Sequence, residues 1–435
     1  MFKKLLVLLG ICLFTESIAR ADLASYIARD EKCFAWSVKN KTVTPLGSVY
    51  EIDLTSQCWQ GFNWEHQILV CIPAGMKPKK TMLLWNTGGK ASATSALFGM
   101  QLAAKSQSPV ALLFGIPMQP LFDGKKEDAL IAETFVRFLE TKDSTWPLLF
   151  PMVKSLVKAM DALQAFTEKE FQQKVENFVV SGASKRGWTS WLTGAADKRV
   201  KAIAPLVIDT LNFHEQIPGQ IKAFGTYSEQ LADYTSRKLV PLPESKEGKT
   251  LWHWVDPYQY REKLTMPKMI INGANDPYWT LDALNNYWDG LKGDKYVLYV
   301  PNAGHGLEEK TKDGSKNRDR AVNTLCAFSL HQVENKPLPK VTWEYLKEGN
   351  QNKLCIKCDP PAKGARLWQA KSKTMDFRQS IWEESGARLQ GGDVTALFQE
   401  PNGEFQACFG EVDYEVGGLT YRLSTQVKIC KPAAK

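Results

Sequence analysis

The sequence lacks several features that would have fixed its class at once. After its first two dozen residues it has no run of roughly twenty apolar residues, so nothing in it reads as a membrane-spanning helix. It has no dense basic stretch of the kind that follows a nucleic-acid backbone, so no nucleic-acid partner is expected. Internal repeats and low-complexity tracts are also missing, which argues against a solenoid or a disordered chain. The pair Cys355-Ile356-Lys357-Cys358 has neither a second such pair nor histidines near it, as a zinc site would want. Histidine itself is scarce, with five in 435 residues.

What remains is the composition of a folded protein, 44% hydrophobic and 23% charged. Lys3 and Lys4, the apolar run Leu5 to Phe14, and Ala19-Arg20-Ala21 read as a secretory leader over residues 1–21, with the mature chain starting near Asp22. The expected location is therefore periplasmic or secreted. Ile11 stands before Cys12 where a lipid-anchor signal wants a small residue. The formal charge is +8, of which the leader's Lys3, Lys4, Arg20 and Glu16 supply a net +2, leaving +6. That mild excess reads as solubility. Without Cys12, eight cysteines remain: Cys33, Cys58, Cys71, Cys326, Cys355, Cys358, Cys408 and Cys430. In an exported chain an even count suggests disulfides, with Cys408 or Cys430 as partners for the CxxC pair; 105 full pairings are possible.

Two alternating segments between Val49 and Pro73, separated by the turn-like "TSQCWQGFN", predict an antiparallel pair. Continuous apolar runs follow: "MLLW", "VALLF", "FVV", "AIAPLVI", "MIIN" and "YVLYV". Runs without polar alternation fit strands buried on both faces. Helical spacing lies between them, over Ala129 to Leu139 and Met152 to Phe166. This alternation predicts an α/β body over 22–336 with an open parallel sheet. Residues 209–264 break the rhythm, are rich in Tyr, Trp and His, and read as a cap insertion. From 337 to 435 short alternating strands predict a small all-β sandwich.

In "FVVSGASKRGW" a strand runs into a tight turn with Ser184 at its centre. That is the position of a nucleophile elbow, although Arg186 stands where the usual G-x-S-x-G has its second glycine and Gly187 comes one later. Alone, the same serine reads equally well as a helix cap. A hydroxyl needs a base to become a nucleophile, and a carboxylate and an imidazole follow at later strand ends. Asp276 lies in "MIINGANDPYW" and His305 in "YVPNAGHGL", giving the order Ser, Asp, His. Asp276, which precedes Pro277, also reads as a turn former or helix cap, and Asp209 is the reserve acid. The oxyanion donors expected are the amides of Lys185 and Gly89. Arg186, Trp188, His214, Trp252 and Trp279 are the substrate-side candidates; His253 and His66 read as packing or substrate-side residues, and His331 as unrelated.

The motifs "WEHQILVCIP", "NTGG", "VSGASKRGWTSWL", "VIDTLN", "INGANDPYW" and "YVPNAGHGL" resemble those of the PhoPQ-activated pathogenicity-related protein family over nearly the whole mature chain. The resemblance implies an α/β-hydrolase fold followed by a sandwich, with Ser184, Asp276 and His305 as the triad, and it implies no substrate. The elbow is also similar to that of glucuronoyl esterases, in which the acid can come from the preceding strand, the place of Asp209. The reading is an exported serine hydrolase of carboxylic esters, acting on a small-molecule, glycan or lipid ester with no metal or organic cofactor. A serine peptidase and a non-catalytic secreted binding, signalling or virulence-related protein on the same scaffold are the alternatives.

Overall fold

The structure, a computed structural model, describes residues 22–432 apart from 311–313, 350, 400 and 402. The leader read at 1–21 lies outside the described residues. After a short helix α1 (Leu23–Ile27), the body is built on strands β1 (Ala35–Thr44), β2 (Gly47–Trp59), β3 (Phe62–Pro73), β4 (Thr81–Asn86), β5 (Val110–Leu113), β6 (Asn177–Ala183), β7 (Val200–Leu206), β8 (Lys268–Gly273) and β9 (Lys295–Val300). Their order is β1-β2-β3-β5-β4-β6-β7-β8-β9. The first three strands pair antiparallel and β3 is antiparallel to β5; from β5 onward every pair is parallel. This is the α/β-hydrolase topology.

Burial explains why the central strands are continuous apolar runs. Along β6, Phe178 and Val180 pack on the side of α3 (Glu127–Thr141), α4 (Leu149–Phe171) and α5 (Lys185–Ala196). Val179, between them, packs on the opposite side with α2 (Ala93–Ser106) and α9 (Asp319–Glu334). With side chains alternating across the sheet, both faces need apolar residues.

Two differences from the sequence reading have simple causes. The sequence reading assigned no element to β1, because nearly all of it is exposed, including Lys39, Asn40 and Lys41; as an edge strand it pairs only with β2 and has no apolar face to declare. The stretch "TSQCWQGFN" is not a long turn. β2 runs through it to Trp59, and the chain reverses in two residues, Gln60 (φ 50°) and Gly61 (φ 82°), the backbone a two-residue hairpin turn requires.

Between β7 and β8 lie α6 (Phe213–Phe224), α7 (Ala232–Thr235) and α8 (Lys246–Val255). Much of their aromatic content is packing: the Phe213 ring lies 4.6 Å from Trp252 and 5.5 Å from Trp188, and Trp252 lies 5.9 Å from Phe135 of α3. After β9 the short antiparallel strands β10 (Glu309–Lys310) and β11 (Lys316–Asn317) lead into α9.

The C-terminal region carries β12 (Lys340–Glu348), β13 (Gln351–Asp359), β14 (Gly364–Ser372), β15 (Glu383–Gly386), β16 (Arg388–Gln390), β17 (Asp393–Gln399), β18 (Phe405–Val416), β19 (Leu419–Ser424) and β20 (Lys428–Cys430). One sheet runs β12-β13-β17-β16. The other runs β19-β18-β14-β15, with β20 on β18, and Ser424 of β19 pairs with Val297 of β9, so that it continues the body's sheet.

The disulfides expected from the even cysteine count do not form among the described residues. Cys355 and Cys358 both lie on β13, where an odd separation turns their side chains to opposite faces. Cys71 and Cys326 are buried core residues whose thiols reach helix carbonyls, of Ala96 and Leu102, at 3.8 Å.

Candidate active site

Ser184 joins β6 to α5 with φ 57° and ψ −128°, a conformation rarely held by a residue with a side chain. Its N–H donates to the Leu206 carbonyl (2.8 Å) and its own carbonyl accepts the Trp188 N–H (3.0 Å), which locks the turn between β7 and α5. Both flanking glycines are required by close approach. A Cβ on Gly182 would come 2.5 Å from Asn86 Nδ2, and one on Gly187 would come 2.6 Å from Ile208 Cγ2 and 3.1 Å from the Leu206 carbonyl. The second contact explains the displaced glycine: α5 crosses β7 at position 187, leaving 186 free to carry a side chain. The Ser184 hydroxyl makes no cap bond to the helix, so the capping role is not the one it plays.

Asp276 follows β8 and accepts the Tyr278 N–H at Oδ1 (2.9 Å), the local turn an Asp-Pro pair favours. Its Oδ2 lies 2.8 Å from His305 Nδ1, in the loop after β9. A carboxylate accepts only, so Nδ1 carries the proton and Nε2 is left basic. The Tyr278 ring lies 4.3 Å from the imidazole, tilted by 32°, and limits its rotation.

Asp209, the reserve acid, is held elsewhere. Asn272 Nδ2 donates to it at 2.7 Å and the Tyr287 hydroxyl also donates to it. Burial pushes its carboxyl up to about 7, against the two hydrogen bonds, with the nearby Asp276 charge adding to the rise.

Ser184, Lys185 and His305 line one cavity, together with Trp188, Trp252 and Trp279. It counts about 480 Å³ of empty space including its mouth, and its wall is overwhelmingly apolar. The amide of Lys185 is the first of α5 and so has no acceptor within the helix. The Lys185 side chain is buried and pairs with Glu127 and Asp128, at 3.1 Å each. Arg186 turns away from the cavity: its guanidinium holds Glu127 through two bonds of 2.6 Å and its Nε donates to the Ile116 carbonyl. Burial raises the Glu127 carboxyl, but the Arg186 bond and charge, with Lys185, outweigh it and hold it at about 2.

Other expected residues are not brought to this cavity. Gly89 (φ +68°) lines a separate open cleft with Trp36, Lys90 and Gln119. Gly88 is glycine because a Cβ there would meet the Arg186 guanidinium at 2.2 Å. His214 and His253 are exposed on α6 and α8. His66 is buried between Ser56 Oγ (2.9 Å) and the Phe114 carbonyl (3.2 Å), and burial lowers it to about 4. His331 is buried beside the Tyr421 hydroxyl, 3.3 Å away.

Sequence reasoning missed Thr210, Phe213, Tyr234 and Tyr278 on the cavity wall. Only Tyr278 had a local signal, its place two residues after Asp276. It also missed a strap from the C-terminal region, the segment 373–382 between β14 and β15. Asn275, next to Asp276, donates to the carbonyls of Phe377 (3.0 Å), Arg378 (3.3 Å) and Ser380 (2.8 Å). Asn302, in the His305 loop, bonds both the N–H and the carbonyl of Trp382.

The sequence profile of the PhoPQ-activated pathogenicity-related proteins matches residues 23–378. Autocrine proliferation repressor protein A of Dictyostelium discoideum is 29% identical over 94% of this chain and 89% of its own length. Among solved structures, acetyl xylan esterase 1 from Thermoanaerobacterium sp. is 12% identical, with a TM-score of 0.49 over 71% of this chain and 93% of that one. A glucuronoyl esterase from Solibacter usitatus is also 12% identical, with a TM-score of 0.44 over 71% of this chain and 90% of that one.

Proposed function

The chain belongs to the PhoPQ-activated pathogenicity-related protein family, and from that premise we propose that it is an exported serine hydrolase of carboxylic esters. The observation that carries the proposal is one arrangement: Ser184 in its strained elbow opens on the same cavity as His305, whose other ring nitrogen is held by Asp276 at 2.8 Å. A packing role would need neither the strain nor the free hydroxyl.

The chemistry follows from the three groups. His305 Nε2 takes the Ser184 proton as Oγ bonds to the acyl carbon, and the carbonyl π pair moves onto oxygen. The Asp276 carboxylate stabilises the imidazolium. The oxyanion collapses, the acyl–oxygen bond to the alcohol breaks, and the Nε2 proton leaves with the alcohol. Water then repeats the sequence on the acyl-enzyme, releasing the acid and restoring Ser184. The Lys185 amide is assigned as one oxyanion donor, and the loop from Thr87 to Lys90, which abuts the elbow through Gly88 and Arg186, as the source of the second.

The test is turnover of short acyl esters beside aminoacyl amides by the native protein and by Ser184→Ala. Ester cleavage that the substitution abolishes supports the reading. Cleavage of the amides with no ester turnover would move it to a peptidase, and equal ester turnover by both proteins would end it. A second reading, a secreted regulator without turnover, is favoured by the name of the Dictyostelium relative. It predicts that Ser184→Ala keeps the full effect of the native protein on cells.

A further inference from the structure

Tyr278 meets both the carboxylate and the imidazole of the site. Its N–H donates to Asp276 Oδ1 (2.9 Å), and its ring lies 4.3 Å from the His305 imidazole at a tilt of 32°. Its carbonyl is held from the insertion, where Gln220 of α6 donates to it from Nε2 (2.8 Å). The same amide accepts the Ser228 N–H at Oε1 (2.8 Å), and the Ser228 hydroxyl donates to the Pro277 carbonyl (2.7 Å). One helical turn before Gln220, Gln216 donates to the Ala283 carbonyl (2.8 Å), so α6 lies along the segment that follows Asp276. Gln216, Gln220 and Ser228 are buried, at 1%, 0% and 2% exposure.

Buried backbone outside helices and strands must find its donors in side chains, and a glutamine or serine on α6 or after it meets that need. What is particular here is which carbonyls are taken. Those of Pro277 and Tyr278 belong to the two peptide planes on either side of the Tyr278 Cα. Each plane is rigid, so fixing both fixes the direction in which the side chain leaves the backbone. The ring then stands where a staggered rotamer puts it, against the imidazole. The bond from Nδ1 to Asp276 leaves the imidazole free to swing about the line joining the two atoms, and a ring on its face removes that freedom.

We infer that Gln220 is a positioning residue: acting from the insertion through Tyr278, it sets the plane in which the His305 imidazole meets Ser184. Residues 209–264 thereby frame the proposed triad as well as supplying walls of its cavity. The inference rests on the esterase reading for its effect on turnover, whereas the orientation of the imidazole can be measured without turnover.

The test is proton NMR of the full chain with labelled histidines, at one fixed pH. Five histidines give few signals, and His305 is the one lost in His305→Ala. A ring stacked on the imidazole shields its carbon-bound protons, so Tyr278→Leu should move the His305 signal downfield and Tyr278→Phe should leave it in place. Gln220→Met, which keeps the length of the side chain and loses its hydrogen bonds, should move the signal the same way by a smaller amount. It should also lower kcat for a short acyl ester by about tenfold with KM within about twofold. Ser228→Ala, which frees the neighbouring carbonyl, is read in the same way where Gln220→Met is poorly folded. A His305 signal that stays at its native position in Gln220→Met and Ser228→Ala, or in Tyr278→Leu, overturns the inference whatever happens to kcat. So does a shifted signal with kcat unchanged in an active protein. A native protein that shows these shifts and cleaves no ester loses only the esterase reading, and one that cleaves esters without the shifts loses only this inference.

Discussion

Asp276 and Asp209 follow neighbouring parallel strands, yet their surroundings give them different tasks. Asp276 faces the His305 imidazole and accepts the Tyr278 N–H. Asp209 is sealed with Tyr287 and Asn272, and burial pushes it up to about 7. Replacing Asp276 by Asn should lower kcat for an activated ester by about 10³–10⁴, the loss expected when the imidazole is held in the wrong tautomer, while Asp209→Asn should cost less than about tenfold. A larger loss from Asp209→Asn than from Asp276→Asn would reverse the assignment. Asp209 also makes a pH prediction. Its ordinary value is 3.8, so between about 4 and 7 the unfolded chain has released this proton while the folded chain keeps it, and stability falls as pH rises. Asp209→Asn removes that term. Its urea midpoint, compared with that of the native protein, should gain between pH 4.5 and 7.5; a constant gap would show that Asp209 does not titrate there.

The strap 373–382 shows how one element can position two others. Through Asn275 and Asn302 it holds the loops that carry Asp276 and His305, without touching a reacting atom itself. Asn275→Ala should lower kcat by about tenfold, the scale of one lost positioning contact, with KM within about twofold. It should also move the acidic limb of the kcat profile, because the Asp276–His305 bond loses its register. A fall in thermal stability with both kinetic constants and the pH profile unchanged would make Asn275 merely structural. This strap was invisible in the sequence, because its contacts cross about a hundred residues and a polar loop carries no periodicity. The members of the proposed triad were easier to place for the opposite reason: each lies shortly after an apolar run, so strand ends located it. Local rules also misdirected. The glycines of "NTGG" also answer to packing, since Gly88 makes room for Arg186 and Gly89 borders another cleft. Arg186, read as substrate-side, anchors the elbow to Glu127.

At the scale of the molecule, the body and the C-terminal strands share more than a linker. Val297 and Ser424 pair across one continuous sheet, and a single apolar cluster runs from Leu298 and Phe328 to Leu367 and Leu423. Arg378 of the strap reaches Glu229 ahead of α7 and stacks on Phe224 of α6, so the C-terminal region also touches the insertion. Calorimetry should therefore show one cooperative transition, and two well-separated transitions would show that the regions fold independently. The leader read at residues 1–21 makes export a proposal at this scale as well: a protein purified from the cell envelope or medium should begin near Asp22, and an intact Met1 in that fraction would count against cleavage.

The most direct measurement is peptide mass spectrometry after treatment with a fluorophosphonate, on the native protein and on His305→Ala. The account predicts one adduct, on the peptide containing Ser184, strongly diminished when the imidazole is gone. An adduct on another residue, or equal labelling of both proteins, would contradict it.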